Sequence, residues 1–186
     1  MKPGSRALGV AESYRGTDGA TSTLAGAVVR ADRTVDDFAF GTCTVGGGDA
    51  TDAVADCWRR LDRPDIRYVF VAGVALAWYN LVDIEAVAAA TDRPVLSVSF
   101  EASDGLSAAI AEAFDSPGRD RRIETYEALP DRRRLVANGE DLFVRSVGVD
   151  DGEADRALRA FTHDRRPEPL RVARRAARRA DTFRRD

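Results

Sequence analysis

Residues 66–98 read IRYVFVAGVALAWYNLVDIEAVAAATDRPVLSV. The first six, Ile66–Val71, form an apolar run broken only by Arg67, the pattern of a strand covered on both faces. Beyond the Ala72-Gly73 loop, Asn80 is placed to cap a helix on which Leu81, Ile84, Val87 and Ala88 recur at helical spacing. Asp83 falls in its first turn, where a carboxylate meets the positive end of the helix dipole. Pro94–Val98 then reads as a second buried strand. Strand, helix and strand joined by short connections predict parallel pairing in an α/β sheet.

Leu106–Phe114 continues the pattern as an amphipathic helix. Upstream, Pro64 ends a helix carrying Val54, Cys57, Trp58 and Leu61. Its start follows the Gly46-Gly47-Gly48 turn, with Asp49 as the candidate N-cap. Three strands precede it: Ala7–Val10 ending in Ala11-Glu12, then Leu24–Val29 after a polar Gly/Thr/Ser loop, then Val35–Val45. Their short connections predict antiparallel pairing. The expectation is one α/β domain over residues 1–186, a mixed sheet flanked by helices, with an Arg-rich helical stretch at 165–186.

The composition narrows the function classes. The 186 residues carry 28 basic and 31 acidic groups, and 44% of them are hydrophobic, which excludes a disordered chain. The longest uncharged run, Tyr68 to Val82, is 15 residues, short of the ~20 that cross a bilayer. With no apolar leader after Met1, a cytoplasmic protein is expected. The single Lys2 stands against 27 arginines, and the charge is uneven: residues 1–118 sum to −7 and residues 119–186 to +4. Cys43 and Cys57 lack the pairwise spacing of a zinc site and read as small buried hydrophobes.

Motifs with chemistry are few. No phosphate-binding loop, dinucleotide fingerprint, nucleophile elbow or zinc-protease helix is present. The lone His163 follows Leu158 and Phe161 near a helix end, without catalytic partners. Gly46–Gly48 can be read as a phosphate cradle or as a plain tight turn, the turn being favoured. Trp78 and Tyr79 follow Gly73 where α/β sheets place ligands, and either stack on a base or pack into the core. Arg171, Arg174, Arg175, Arg178 and Arg179 repeat at helical intervals, as a track for a nucleic-acid backbone or as a solvated helix face.

The stretches Arg6–Val10, Leu24–Arg30, Gly48–Thr51, Ala72-Gly73 through Tyr79–Ile84, Arg93–Val95 and Pro167–Ala173 together resemble the archaeal endonuclease V-like family known as endonuclease dU. The resemblance spans nearly the whole chain. It implies a ribonuclease H-like fold and Mg²⁺-dependent cleavage of DNA at deoxyuridine, with carboxylates at strand ends holding the metal. Family members carry an Asp where this chain has Ala11, an Asp-Gly where it has Ala72-Gly73, and a basic residue where it has Phe100. Asp49 is the one expected carboxylate position still occupied, with Glu12 and Asp83 as substitute ligands. Alanine offers no metal-binding oxygen, so the expectation is a member with an impaired nuclease site. The alternative is an inactive paralogue that binds nucleic acid through Gly73, Trp78, Tyr79, Asn80 and the basic residues Arg171, Arg174 and Arg175.

Overall fold

The computed structural model describes residues 1–16 and 21–185, so part of the polar loop before the second strand lies outside the described residues. The chain begins with β1 (Arg6–Glu12), β2 (Thr21–Arg30) and β3 (Val35–Thr44), followed by α1 (Ala50–Leu61) and β4 (Ile66–Val71). A two-stranded ribbon, β5 (Ala75–Leu76) and β6 (Asn80–Leu81), leads to α2 (Ile84–Thr91) and β7 (Val95–Ser99). Next come α3 (Ser107–Ala113), α4 (Gly118–Glu127), the hairpin β8 (Arg133–Ala137) and β9 (Glu140–Val147), α5 (Asp151–Phe161) and α6 (Glu168–Arg185).

Seven strands form one mixed sheet in the order β3-β2-β1-β4-β7-β9-β8. β1, β4 and β7 run parallel at its centre, while the β1–β3 meander and the β8–β9 hairpin flank them antiparallel. Alternation along each strand splits the core into two layers. Leu8, Val10, Val69, Val71 and Val95 face α1 and α2, packing with Val54, Cys57, Ile84 and Val87. Ala7, Tyr68, Phe70, Leu96 and Val98 face the other way, against Leu158 and Phe161 of α5 and Leu170 of α6. Among the described residues no helix is long and apolar enough to cross a membrane.

Gly9 decides where α6 lies. A side chain there would meet the Pro169 carbonyl carbon at 2.3 Å, so only glycine lets the start of α6 rest directly on β1. The next inward residue, Ala11, is then sealed with Ala27, Val29 and Ala173, and is 0% exposed.

Two capping expectations are corrected. Asp83, not Asn80, is the N-cap of α2, accepting from the Glu85 and Ala86 amides at 2.9 and 3.0 Å. Asp49 stands at the start of α1, but its side chain caps nothing there. The acceptor for the Ala50 amide is the Asn80 side-chain oxygen at 2.9 Å, reaching across from the β5–β6 ribbon. The reason is geometric: Asp49 turns back to Thr44, leaving the helix end open for a buried amide that can both donate and accept.

Candidate nucleic-acid interface

The three carboxylates expected to hold metal each have another task. Glu12 follows Leu8 and Val10 on the sheet face opposite Ala11, and its carboxylate accepts from the Tyr14 amide and from Ser22 Oγ at 2.8 Å. Asp49 accepts from the Thr44 amide at 3.0 Å, Thr44 Oγ1 at 2.9 Å and Asn80 Nδ2 at 2.6 Å. Burial pushes its pKa up, but the bonds from Asn80 and Thr44 outweigh this and hold it below the usual carboxylate value. Asp83 is committed to α2. Among the described residues no three acidic, Cys or His side chains converge on a point that could hold a metal ion. Ala11 is buried under α6 and Ala72 brings no oxygen, so the donor set does not fit Mg²⁺, which needs several oxygens in octahedral order.

Two of the three amides of the Gly46–Gly48 turn are occupied. The Gly46 amide donates to Ala77 O at 2.8 Å and the Gly47 amide to Thr44 O at 3.0 Å, so these donors are not offered to a phosphate. Arg122 ties the turn to the ribbon, donating to the carbonyls of Gly46, Gly47 and Tyr79 while its guanidinium covers the Phe114 ring at 3.9 Å. Ala77, Trp78 and Tyr79 are consecutive left-handed residues, with φ of 41°, 62° and 56°. Such backbone costs roughly 1–2 kcal/mol per residue and persists only where neighbours fix it. Here they do: Trp78 lies over Gly46 and 4.9 Å from the Phe114 ring centroid, with Tyr79 edge-on to the same ring. Both rings are half-buried in this cluster, and Asn80 is fully buried beneath it.

The basic stretch presents an open surface. Arg166, Arg171, Arg174, Arg175 and Arg178 line one concavity of about 310 Å³. A second, of about 520 Å³, continues it along α6 through the shared Arg175 and Arg178 to Arg15, Arg179 and Thr182. Arg171 is paired with Glu168, and Arg15 with Asp181 at 3.1 Å. Among the described residues Arg166, Arg174, Arg175, Arg178 and Arg179 form no ion pair, and the carboxylate that acts on Arg174, Glu12, does so without direct contact. Burial and the neighbouring Arg178 charge hold the Arg174 guanidinium below its usual pKa. The groove is thus a row of cations short of counter-charge.

A separate cavity of about 290 Å³ opens on the other side of Ala72, at the C-terminal ends of β4 and β7. Its cations, Arg132 just before β8 and Arg145 on β9, are not among the sequence candidates, because arginine breaks the apolar pattern of this hairpin. Asn138-Gly139 between Leu135–Ala137 and Leu142–Val144 nonetheless marks a two-residue hairpin turn, and both turn residues have positive φ. His163 lies just past α5, exposed, with Nε2 2.9 Å from Ala31 O. Both cysteines are buried, and burial raises their thiol pKa to about 12 for Cys43 and about 11 for Cys57.

A family model described as endonuclease dU matches residues 3–180. A UPF0215 protein of Pyrobaculum calidifontis is 35% identical over 169 residues, covering 89% of this chain and 91% of the relative. A protein of unknown function from Archaeoglobus fulgidus superposes with a TM-score of 0.82 at 24% identity, covering 95% of this chain and 98% of that one. Endonuclease V of Ciona intestinalis, crystallised with a 24-mer DNA containing an inosine followed by a ribo-adenosine, gives a TM-score of 0.63 at 10% identity, covering 96% and 86%. The shared architecture is the ribonuclease H-like fold that the family resemblance implies.

Proposed function

The chain belongs to the endonuclease dU family, and from that premise we propose that it binds DNA along the arginine face of α6 without the metal-dependent cleavage at deoxyuridine that the family resemblance implies. The observation that carries this reading is the groove itself: five arginines on one concavity, four of them with no ion pair among the described residues. A polyanion supplies what they lack, releasing condensed counterions as it docks. The helix is 18 residues long, about 27 Å, enough to follow most of a turn of duplex. The loss of cleavage is supported by the donor chemistry, with Ala11 and Ala72 where carboxylates are expected and Glu12, Asp49 and Asp83 each engaged elsewhere. Uracil-bearing DNA is the substrate class to test first, by family.

The test is fluorescence anisotropy of a labelled 20-base-pair duplex against KCl concentration. With about four phosphates neutralised, affinity falls roughly 10²-fold between 50 and 200 mM salt. The Arg174→Ala/Arg175→Ala/Arg178→Ala variant loses affinity and has a log–log salt slope shallower by about 2–3. No binding at 50 mM, or a slope unchanged in the variant, overturns the proposal.

A further inference from the structure

The cavity beyond Ala72 is built from four parts of the fold. Ala72–Ala75 leave the end of β4, and Ser97 and Ser99 end β7. Leu106 and Tyr126 come from the α3–α4 region, Arg132 from the residue just before β8, and Phe143 and Arg145 from β9. Arg145 is buried to 9% exposure, donates to Pro130 O and to Tyr126 Oη at 3.1 Å, and lies over the Tyr126 ring. Arg132 covers the Phe143 ring at 4.2 Å and donates to Ser99 Oγ at 3.0 Å and to the carbonyls of Glu101 and Ser103. Among the described residues neither guanidinium has a carboxylate partner. Burial, and repulsion from Arg145, hold the Arg132 pKa below its usual value. Ser97, also buried, lines the same cavity, and its hydroxyl has no hydrogen-bond partner among the described residues.

Two desolvated cations that repel one another are expensive to hold together unless an anion joins them. The neighbouring carboxylate does not do so: Glu101 lines the cavity but is exposed and forms no ion pair with either arginine. A dianion matches two guanidinium groups better than a carboxylate does, and a phosphomonoester carries about −1.5 to −2 at neutral pH. The volume exceeds what a bare phosphate fills, and Val74, Leu106 and Phe143 give the remainder an apolar lining suited to a flat organic body.

We propose that this cavity is a binding site for a phosphomonoester attached to a nucleoside, held by Arg132 and Arg145 with Ser97 as a hydrogen-bonding partner. The ligand is either a free nucleoside monophosphate or the terminal phosphate of a nucleic-acid strand. The site stands apart from the α6 groove in residues and in the ligand group it recognises.

Isothermal titration with AMP, adenosine and two trinucleotides, one 5′-phosphorylated and one with a 5′-hydroxyl, tests it on the full chain. AMP binding with adenosine at least about tenfold weaker supports the site, as does the same preference for the phosphorylated trinucleotide. A tight AMP isotherm indicates a free mononucleotide. Strong binding of the phosphorylated trinucleotide alone indicates a strand end. Arg132→Gln, at the less buried of the two arginines, lowers either affinity about tenfold or more, whereas Glu101→Gln, which removes an opposing charge, raises it. The Arg174→Ala/Arg175→Ala/Arg178→Ala variant keeps AMP affinity, so failure of the groove and failure of this site are separable. Equal affinity for phosphorylated and unphosphorylated partners, no binding of either, or an unchanged affinity in Arg132→Gln overturns the proposal.

Discussion

Replacing Asn80 by alanine removes a fully buried amide that joins three elements. Its oxygen accepts from the Ala50 amide at 2.9 Å, and its nitrogen donates to Thr44 O at 2.8 Å and Asp49 Oδ1 at 2.6 Å. Two of these bonds are between neutral groups, each worth about 1 kcal/mol net, and the one to the carboxylate is worth about 1.5–3 kcal/mol. Ala50 is itself buried, so its amide is left without a partner, at a further cost of about 1–3 kcal/mol. Because the terms overlap, about 3–4 kcal/mol is expected in total. For a chain of this size that lowers the melting temperature by roughly 10 °C. Urea unfolding followed by the fluorescence of Trp58 and Trp78 reads the loss directly. The Asp49 carboxyl, relieved of its shortest bond, also moves up toward the ordinary range. Asn80→Asp sharpens the test. It sets a second carboxylate against Asp49, is as destabilising at pH 7, and recovers part of that loss as the pH falls and one of the pair takes a proton. A loss under about 1 kcal/mol for Asn80→Ala refutes the reasoning that Asn80 and Asp49 are occupied in holding α1 to the β5–β6 ribbon.

Three other outcomes follow from the same structure. Ala11→Asp puts a carboxylate where Ala27, Val29 and Ala173 close every side, and costs about 3 kcal/mol or more in a denaturant titration; a cost near zero shows that α6 does not seal that position. Gly9→Ala collides with the Pro169 backbone, which cannot give as a side chain would, so about 3 kcal/mol of stability is lost and α6 shifts off β1, seen as faster amide exchange in its first turns. Asp36 is held at a pKa of about 2, first by the Arg30 guanidinium and also by Arg6, at 2.8 and 2.6 Å. A depressed carboxyl stabilises above its unfolded value of 3.8 and loses that contribution as pH falls from there through about 2. After allowance for screening at the partly exposed arginines this is about 1–2 kcal/mol, so the stability gap between wild type and Asp36→Asn is flat above pH 5 and narrows toward pH 2.

The first two-thirds of the fold is legible because each element buries one clear face. Ile66–Val71 is apolar on both faces because it is covered on both, and Leu8 and Val10 alternate with Ala7, Gly9 and Ala11 because different helices cover the two sides of β1. The mixed sheet follows from that pattern. The β8–β9 hairpin is less visible because arginine interrupts its apolar residues at 133, 134 and 145, although Asn138-Gly139 announces its turn. At the site, a run of arginines on one helix is evident from spacing, but their lack of counter-charge emerges only when the tertiary neighbours are known. The position of Asn80 is misleading for a related reason. An Asn shortly before a helix looks like its cap, and nothing local signals that its side chain turns to a helix 30 residues earlier. The closing of α6 over Ala11 depends on Gly9, a contact between residues 160 apart in sequence.

The most direct test of the central claim combines binding and cleavage in one sample: a fluorescein-labelled, deoxyuridine-containing duplex titrated with the protein in Mg²⁺ and in EDTA, then run on a denaturing gel. The account predicts binding that needs no metal, as tight in EDTA as in Mg²⁺ or tighter because Mg²⁺ competes for the phosphates, and an intact strand in both. A cut at deoxyuridine that appears with Mg²⁺ and disappears with EDTA contradicts it, and means that Glu12, Asp49 or Asp83 leaves its present partners to serve a metal ion.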